Sequence, residues 1–147
     1  MRSYWVDVKV DPMYRDKPYT DMRDMMKADS LFSYYGMELE DYGPGWSRVT
    51  MLIQKNMLNA YAAAHGAVIF ALADVAFAIA CNAHGAKAVG LSMNINYRKP
   101  ACENERLIAE ARGESVGKTT GLFRIRIING EGKLVALADG LAFISQK

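Results

Sequence analysis

The sequence predicts an α+β domain in which one antiparallel sheet of about six strands curls around a single long buried helix. Three observations predict it. One uninterrupted apolar run, Ala67 to Cys81, has the composition of a helix covered on nearly every side. Four stretches after it carry the period of strands, and two more flank Gly43-Pro44-Gly45 before it. The length of 147 residues is that of one domain, and a chain of this size can bury about two thirds of its unfolded surface.

Taken in order, residues 1–19 show a mixed alternation that fits no element, and residues 20–35 read as a short helix. Met37 to Asp41 and Trp46 to Ile53 are two strands joined by the Gly-Pro-Gly turn. The helix follows: AVIFALADVAFAIAC contains no Gly or Pro, Gly66 opens it, and Asn82 and then Gly85 stop it. At about 1.5 Å per residue it spans roughly 22 Å, short of the ~30 Å hydrocarbon core, and Asp74 in its middle argues further against a membrane span. The period then changes. Lys87 to Tyr97, Arg106 to Val116, Thr119 to Asn129 and Lys133 to Ile144 are strands; Phe123, Ile125 and Ile127 alternate with Arg124 and Arg126. Val116-Gly117-Lys118 and Asn129-Gly130-Glu131-Gly132 are tight reversals between them. A lone sheet around one helix leaves a face and edges open, which predicts self-association.

Composition narrows the function. Lys and Arg total 18 against 16 Asp and Glu, a net +2 that argues against nucleic-acid binding by bulk charge. The opening Met1-Arg2-Ser3-Tyr4-Trp5 lacks the apolar run of a secretory signal, so a cytoplasmic location is expected. Cys81 and Cys102 form no CxxC pair, and with His84 they make no complete zinc ligand set; no metal and no cofactor is expected.

Asp74 is the most informative residue. An ionised carboxylate in an apolar helix is costly unless it is paired, hydrogen-bonded or facing a wet cavity, which leaves a satisfied structural Asp and a functional one as alternatives. His65-Gly66 stands where the first helical turn offers free backbone N–H groups and the positive end of the dipole, the make-up of an oxyanion donor; a Gly at a tight helix entry reads the same way. Asn59, in the loop feeding the helix, is a second amide donor or a turn former. Arg98, Lys99 and Lys118, at strand ends and turns, are cations for phosphate or plain solvated surface. Cys81 has nothing nearby to lower its thiol pKa and reads as an inert buried residue. Tyr34, Tyr35, Met37 and Trp46 read as core, or as the lining of an aryl-accepting pocket.

The segment MLNAYAAAHGAVIFALADVAFAIACNAHG resembles the helix region of hotdog-fold acyl-coenzyme A thioesterases, most closely the phenylacetyl-CoA (PaaI-like) branch. The resemblance covers roughly residues 31–145. It rests on Asn59, His65-Gly66, Leu72-Ala73-Asp74, Asn96-Tyr97-Arg98-Lys99-Pro100 and Gly117-Lys118 in register. It implies the hotdog fold for residues 31–147, with residues 1–30 as an N-terminal extension. It also implies that Asn59 and the Gly66 N–H polarise a thioester carbonyl while Asp74 acts as nucleophile or general base. Arg98, Lys99, Pro100, Gly117 and Lys118 would then meet CoA. Three positions depart from the family pattern: Ala67 replaces a second Gly, Asn104 stands where Gly is common, and Arg98 takes a usually apolar place. Asn tolerates the left-handed backbone that such a turn needs.

Helix geometry adds an independent constraint. Gly66 and Asp74 are eight residues apart, about 12 Å along one helix, too far to grip one thioester carbon. Two helices antiparallel across a twofold axis would bring Asp74 of one copy toward Gly66 of the other. The resemblance implies the same shared-site homodimer, or a tetramer made as a dimer of dimers. The expected function is therefore hydrolysis of acyl-CoA thioesters, aryl or phenylacetyl among them, with no nucleic-acid or membrane partner. Two rivals remain at this stage: a non-catalytic acyl-CoA-binding module, which needs no carboxylate, and a hydratase or dehydratase working through His65.

Overall fold

A computed structural model describes residues 17–146; Lys147 and the first sixteen residues of the extension drawn over residues 1–30 lie outside them. The described chain opens with two short helices, α1 (Met22–Lys27) and α2 (Ser30–Tyr34). The single helix expected over residues 20–35 is thus divided, because each piece has its own aspartate cap. The Asp21 carboxylate accepts from the Arg23 N–H, and the Asp29 carboxylate accepts from the Phe32 N–H at 2.9 Å. Met22 and Met26 of α1 are buried in the same core as the sheet.

The six strands are β1 (Glu38–Gly43), β2 (Trp46–Leu52), β3 (Ala88–Tyr97), β4 (Arg106–Val116), β5 (Thr120–Ile128) and β6 (Leu134–Ile144). They form one sheet in the order β1-β2-β4-β5-β6-β3, antiparallel throughout. The long helix α3 (Gly66–Asn82) lies across the sheet's inner face and carries the chain from β2 to the far edge, where β3 pairs with β6 rather than with its sequence neighbours. The sheet and helix make the hotdog arrangement, and every strand read from the sequence is present within two residues at each end.

Strand alternation sets the core. Phe123, Ile125 and Ile127 point inward and are fully buried, whereas Leu122, Arg124 and Arg126 face out. The Phe77 ring of α3 presses into the sheet where a Cβ on Gly140 would come within 2.9 Å of the ring and one on Gly90 within 3.2 Å. Only glycine leaves that slot open. Asn82 closes the helix by bonding the backbone N–H and C=O of Ala88, both at 3.0 Å, which aims the chain into β3. Asn104 takes the left-handed backbone at φ 69° that its turn requires.

The two sheet edges differ. On β1 the Arg23 guanidinium of α1 donates to the Leu39 and Glu40 carbonyls, at 2.8 and 3.4 Å, and so occupies two acceptors of that strand. No described residue covers the β3 edge, where Val89, Leu91 and Tyr97 are about half exposed. Helix α3 is correspondingly open along one stripe: Ala67 and Asp74 are exposed, and Phe70 and Ala78 partly so. The wrapping expected on nearly every side stops there. Among the described residues no helix is long and apolar enough to cross a membrane.

Candidate active site

The loop before α3 is a rigid frame. Asn59 Oδ1 accepts from the backbone N–H groups of Tyr61 and Ala63, at 2.9 and 3.2 Å, and the Asn59 N–H donates to the Ala63 carbonyl at 2.7 Å. Ala62 at the tip adopts φ 60°, an uncommon conformation for a residue with a Cβ. The turn-forming role of Asn59 is therefore real, and it is compatible with the other one: with Oδ1 engaged by backbone, the side-chain Nδ2 is the group left to donate. Two more bonds fix the frame to its surroundings, His65 N–H to Met57 O at 2.8 Å and Ala64 N–H to Ala101 O at 2.7 Å.

His65 caps α3, its Nδ1 accepting from the Ala67 N–H at 3.2 Å. The His65 carbonyl takes the N–H groups of Val68 and Ile69. The Gly66 N–H is left without an acceptor among the described residues, at the positive end of a seventeen-residue helix. Gly66 does not have a positive φ. A residue larger than glycine would be crowded there for a reason that sequence reading missed: a Cβ would stand 3.2 Å from Cζ of Tyr97, whose ring lies over it and whose hydroxyl donates to the Gly66 carbonyl at 2.9 Å.

The far wall comes from the segment after β3. The Arg98 and Lys99 N–H groups both reach the Val135 carbonyl, at 2.7 and 3.1 Å, which holds Arg98-Lys99-Pro100 in place. Asn59, Gly66, Arg98, Lys99 and Pro100 thus line one cavity of about 350 Å³, together with Ile69 and Tyr97. Five of the nine residues expected at the site meet there. Tyr97, quoted in the motif without a role, is the wall residue that spacing alone did not single out.

Asp74 is not among them. It lies in a separate recess of about 200 Å³ with Phe70, Gly90, Leu91, Ser92 and Met93, at the point where a bulge between Gly90 and Ser92 breaks the β3 ladder. The side chain reaches solvent, yet the apolar walls strip part of its hydration. Burial first, and the nearby Asp29 charge second, raise its pKa above the ordinary carboxylate value. No hydrogen bond or ion pair to a described residue holds the carboxylate. The structural alternative of a satisfied core Asp is therefore not what the fold built. His65 and Asp74 do not share a cavity, so the fold assembles no dyad from them within one chain.

Gly117 and Lys118 lie elsewhere again. Gly117 donates to the Thr120 carbonyl at 2.8 Å to close the β4–β5 turn, and Lys118 lines a cleft with His84, Gly85 and Ile144 beyond the C-terminal end of α3. Cys81 is buried, with its thiol pushed up to about 12 by burial, while Cys102 is exposed. Met37 belongs to the core, and Trp46 packs over Gly43 with the Arg112 guanidinium 5.8 Å from its ring, so neither lines the cavity beside Gly66.

Comparison with known proteins identifies relatives of this chain and of its fold. Residues 61–136 match the model of the thioesterase superfamily. A putative esterase of Archaeoglobus fulgidus is 39% identical over 81% of this chain and 77% of its own. The acyl-coenzyme A thioesterase PaaI of Escherichia coli is 35% identical over 84% of this chain and 89% of its own. The solved structure of that E. coli protein, from the phenylacetic acid degradation operon, superposes with a TM-score of 0.83 over 84% of this chain and 90% of that one, at 34% identity. A thioesterase protein of Streptococcus pneumoniae, solved with coenzyme A, is 28% identical with a TM-score of 0.78, covering 85% of this chain and 97% of that one.

Proposed function

The chain belongs to the thioesterase superfamily, and from that premise we propose that it hydrolyses acyl-CoA thioesters to the free acid and CoA, in sites shared by two copies. The observation that carries this reading is the division of the chemistry along α3. An unpartnered Gly66 N–H, the Asn59 amide and two cations share one cavity, and the only carboxylate on the helix stands in another recess about two turns away.

In this mechanism the thioester carbonyl oxygen sits against the Gly66 N–H and Asn59 Nδ2, which stabilise the charge it acquires. Asp74 of the second copy takes a proton from water as the water oxygen bonds to the carbonyl carbon; collapse breaks the C–S bond and the thiolate leaves, recovering a proton. Asp74 attacking directly, to form an anhydride that water then opens, uses the same placement. A carboxylate with a raised pKa is the stronger base. The open β3 edge and the open stripe of α3 are the surfaces through which the copies meet.

Arg98 and Lys99 at the cavity, with Lys118 supplied by the second copy, receive the phosphates of CoA. Alanine at Arg98, Lys99 or Lys118 should raise KM for full CoA thioesters and have less effect on a pantetheine thioester. The E. coli relative and its operon support an aryl-acetyl group as the acyl part. The test is release of free acid from a panel of aryl and alkyl acyl-CoAs, with phenylacetyl-CoA expected among the best substrates. Tight binding of acyl-CoA without any release would replace this reading with a binding module. A hydratase reading has little support, since His65 is engaged as the cap of α3.

A further inference from the structure

We propose that Tyr97 is a positioning residue for the oxyanion donor: its ring and hydroxyl together hold the first turn of α3 so that the Gly66 N–H points into the cavity. The inference rests on the thioesterase reading for its kinetic consequence, but its structural content stands on the contacts alone.

Three observations carry it. The Tyr97 hydroxyl donates to the Gly66 carbonyl at 2.9 Å, a bond across 31 residues from the last position of β3 to the first of α3. A carbonyl in the first turn already accepts the N–H four residues on, so the tyrosine is a second donor on the same oxygen; it holds the Gly66–Ala67 peptide and, through the Gly66 Cα, steadies the adjoining His65–Gly66 peptide that carries the donor N–H. The ring also lies against the space of a Gly66 Cβ, at 3.2 Å from Cζ and 3.3 Å from the hydroxyl oxygen, so a roll of the turn toward it has to push the ring aside. Finally, Tyr97 is 48% exposed in the single chain and lines the cavity, so core packing within the chain does not account for its place.

The N-terminal turn of a helix frays most readily, because its N–H groups lack intrahelical partners. Here the turn is fastened from outside by a strand that is itself held by β6 and by the two bonds to Val135 O. An oxyanion donor gains from such preorganisation because no reorientation is then needed as charge develops. Tyr97 touches neither the reacting carbon nor the proton in this scheme; it acts through Gly66.

Tyr97→Phe removes the hydroxyl bond and keeps the ring. It should lower kcat about 5-fold, the effect of one neutral hydrogen bond, with KM for acyl-CoA and the melting temperature little changed. Tyr97→Ala should lower kcat further, and Gly66→Ala should cost less in the Tyr97→Ala background than in the wild type, since the ring it displaces is gone. Selective ¹⁵N-glycine labelling gives a readout independent of activity: the Gly66 amide, assigned by its loss in Gly66→Ala, should shift and exchange faster with solvent in Tyr97→Phe. A wild-type kcat in Tyr97→Phe, a rise in KM alone, or an unmoved Gly66 amide would overturn the positioning role. A wild-type protein that hydrolyses no acyl-CoA while the Gly66 amide still responds to Tyr97→Phe would instead overturn the thioesterase reading and leave the fastening of the turn in place.

Discussion

Asp74 shows how much a single residue type can say. A carboxylate in an apolar run had to be satisfied, wet or functional, and the structure places it at the mouth of a recess with no bond to a described residue. Asp74→Asn, nearly isosteric, should keep the fold and lose about 100- to 10,000-fold in kcat. The pKa direction gives two further expectations. The acid limb of kcat/KM should lie above the ordinary carboxylate value of about 3.9, because the base must be ionised to act. For stability the sign is reversed. A carboxyl whose folded pKa is raised binds its proton more tightly when folded, so the stability it contributes is full in acid and is lost as pH rises through the folded value. Asp74→Asn should thus melt no lower than wild type at neutral pH, and any advantage should vanish below the ordinary carboxylate range. The cysteines offer a simpler check: with Cys81 buried and its thiol raised to about 12, only Cys102 should react with a thiol reagent in the native protein at mildly alkaline pH, and both should react after denaturation. Gly66 marks the limit of residue-level reading. Its place at a helix start was legible, but the ring that crowds it comes from a residue 31 positions away.

At the scale of elements, alternation and punctuation located all six strands and the long helix, because burial of one strand face and of a whole helix leaves period-2 and continuous apolar patterns. The division of residues 20–35 into two helices was legible in retrospect from Asp21 and Asp29, two N-cap residues eight apart. The glycines of β3 and β6 were not: nothing in their neighbourhoods announces that Gly90 and Gly140 face opposite sides of the Phe77 ring. Gly140→Ala should therefore destabilise the fold by about 1–3 kcal/mol, read from urea or thermal unfolding, since the Cβ meets two ring atoms at 2.9 Å inside a fully packed core. Near-wild-type stability would mean that the ring has room to turn away.

For the whole molecule, the question is whether one chain completes a site. The cavity beside Gly66 and the recess of Asp74 are separate in the single chain, and a shared site predicts complementation between two dead variants. Gly66→Pro deletes the donor at a first-turn position whose φ is not positive, after a His65 already at φ −62° and ψ 135°, so the backbone suits proline; its Cβ meets the half-exposed Tyr97 ring at 3.2 Å, which has to give way, so circular dichroism of this variant comes first. Asp74→Asn and Gly66→Pro, unfolded and refolded together in equal amounts, should form mixed dimers as about half of the total, each with one intact site. Roughly a quarter of wild-type sites should return by twofold counting. Mixed dimers that form without activity would exclude the shared site.

The sequence by itself determined the class of fold, the spans of the six strands and the long helix, and the residue types of the candidate site, because these depend on local periodicity and on the cost of placing a charge in an apolar run. Only the tertiary structure decided that β3 travels to the far edge, that Arg23 reaches two carbonyls of β1, and which site residues meet. It gathered Asn59, Gly66 and Arg98-Lys99-Pro100 in one cavity, set Asp74 and Lys118 apart, and brought Tyr97 onto Gly66. Those outcomes depend on pairing between strands distant in the chain, and strand pairing leaves no periodic trace in either partner alone.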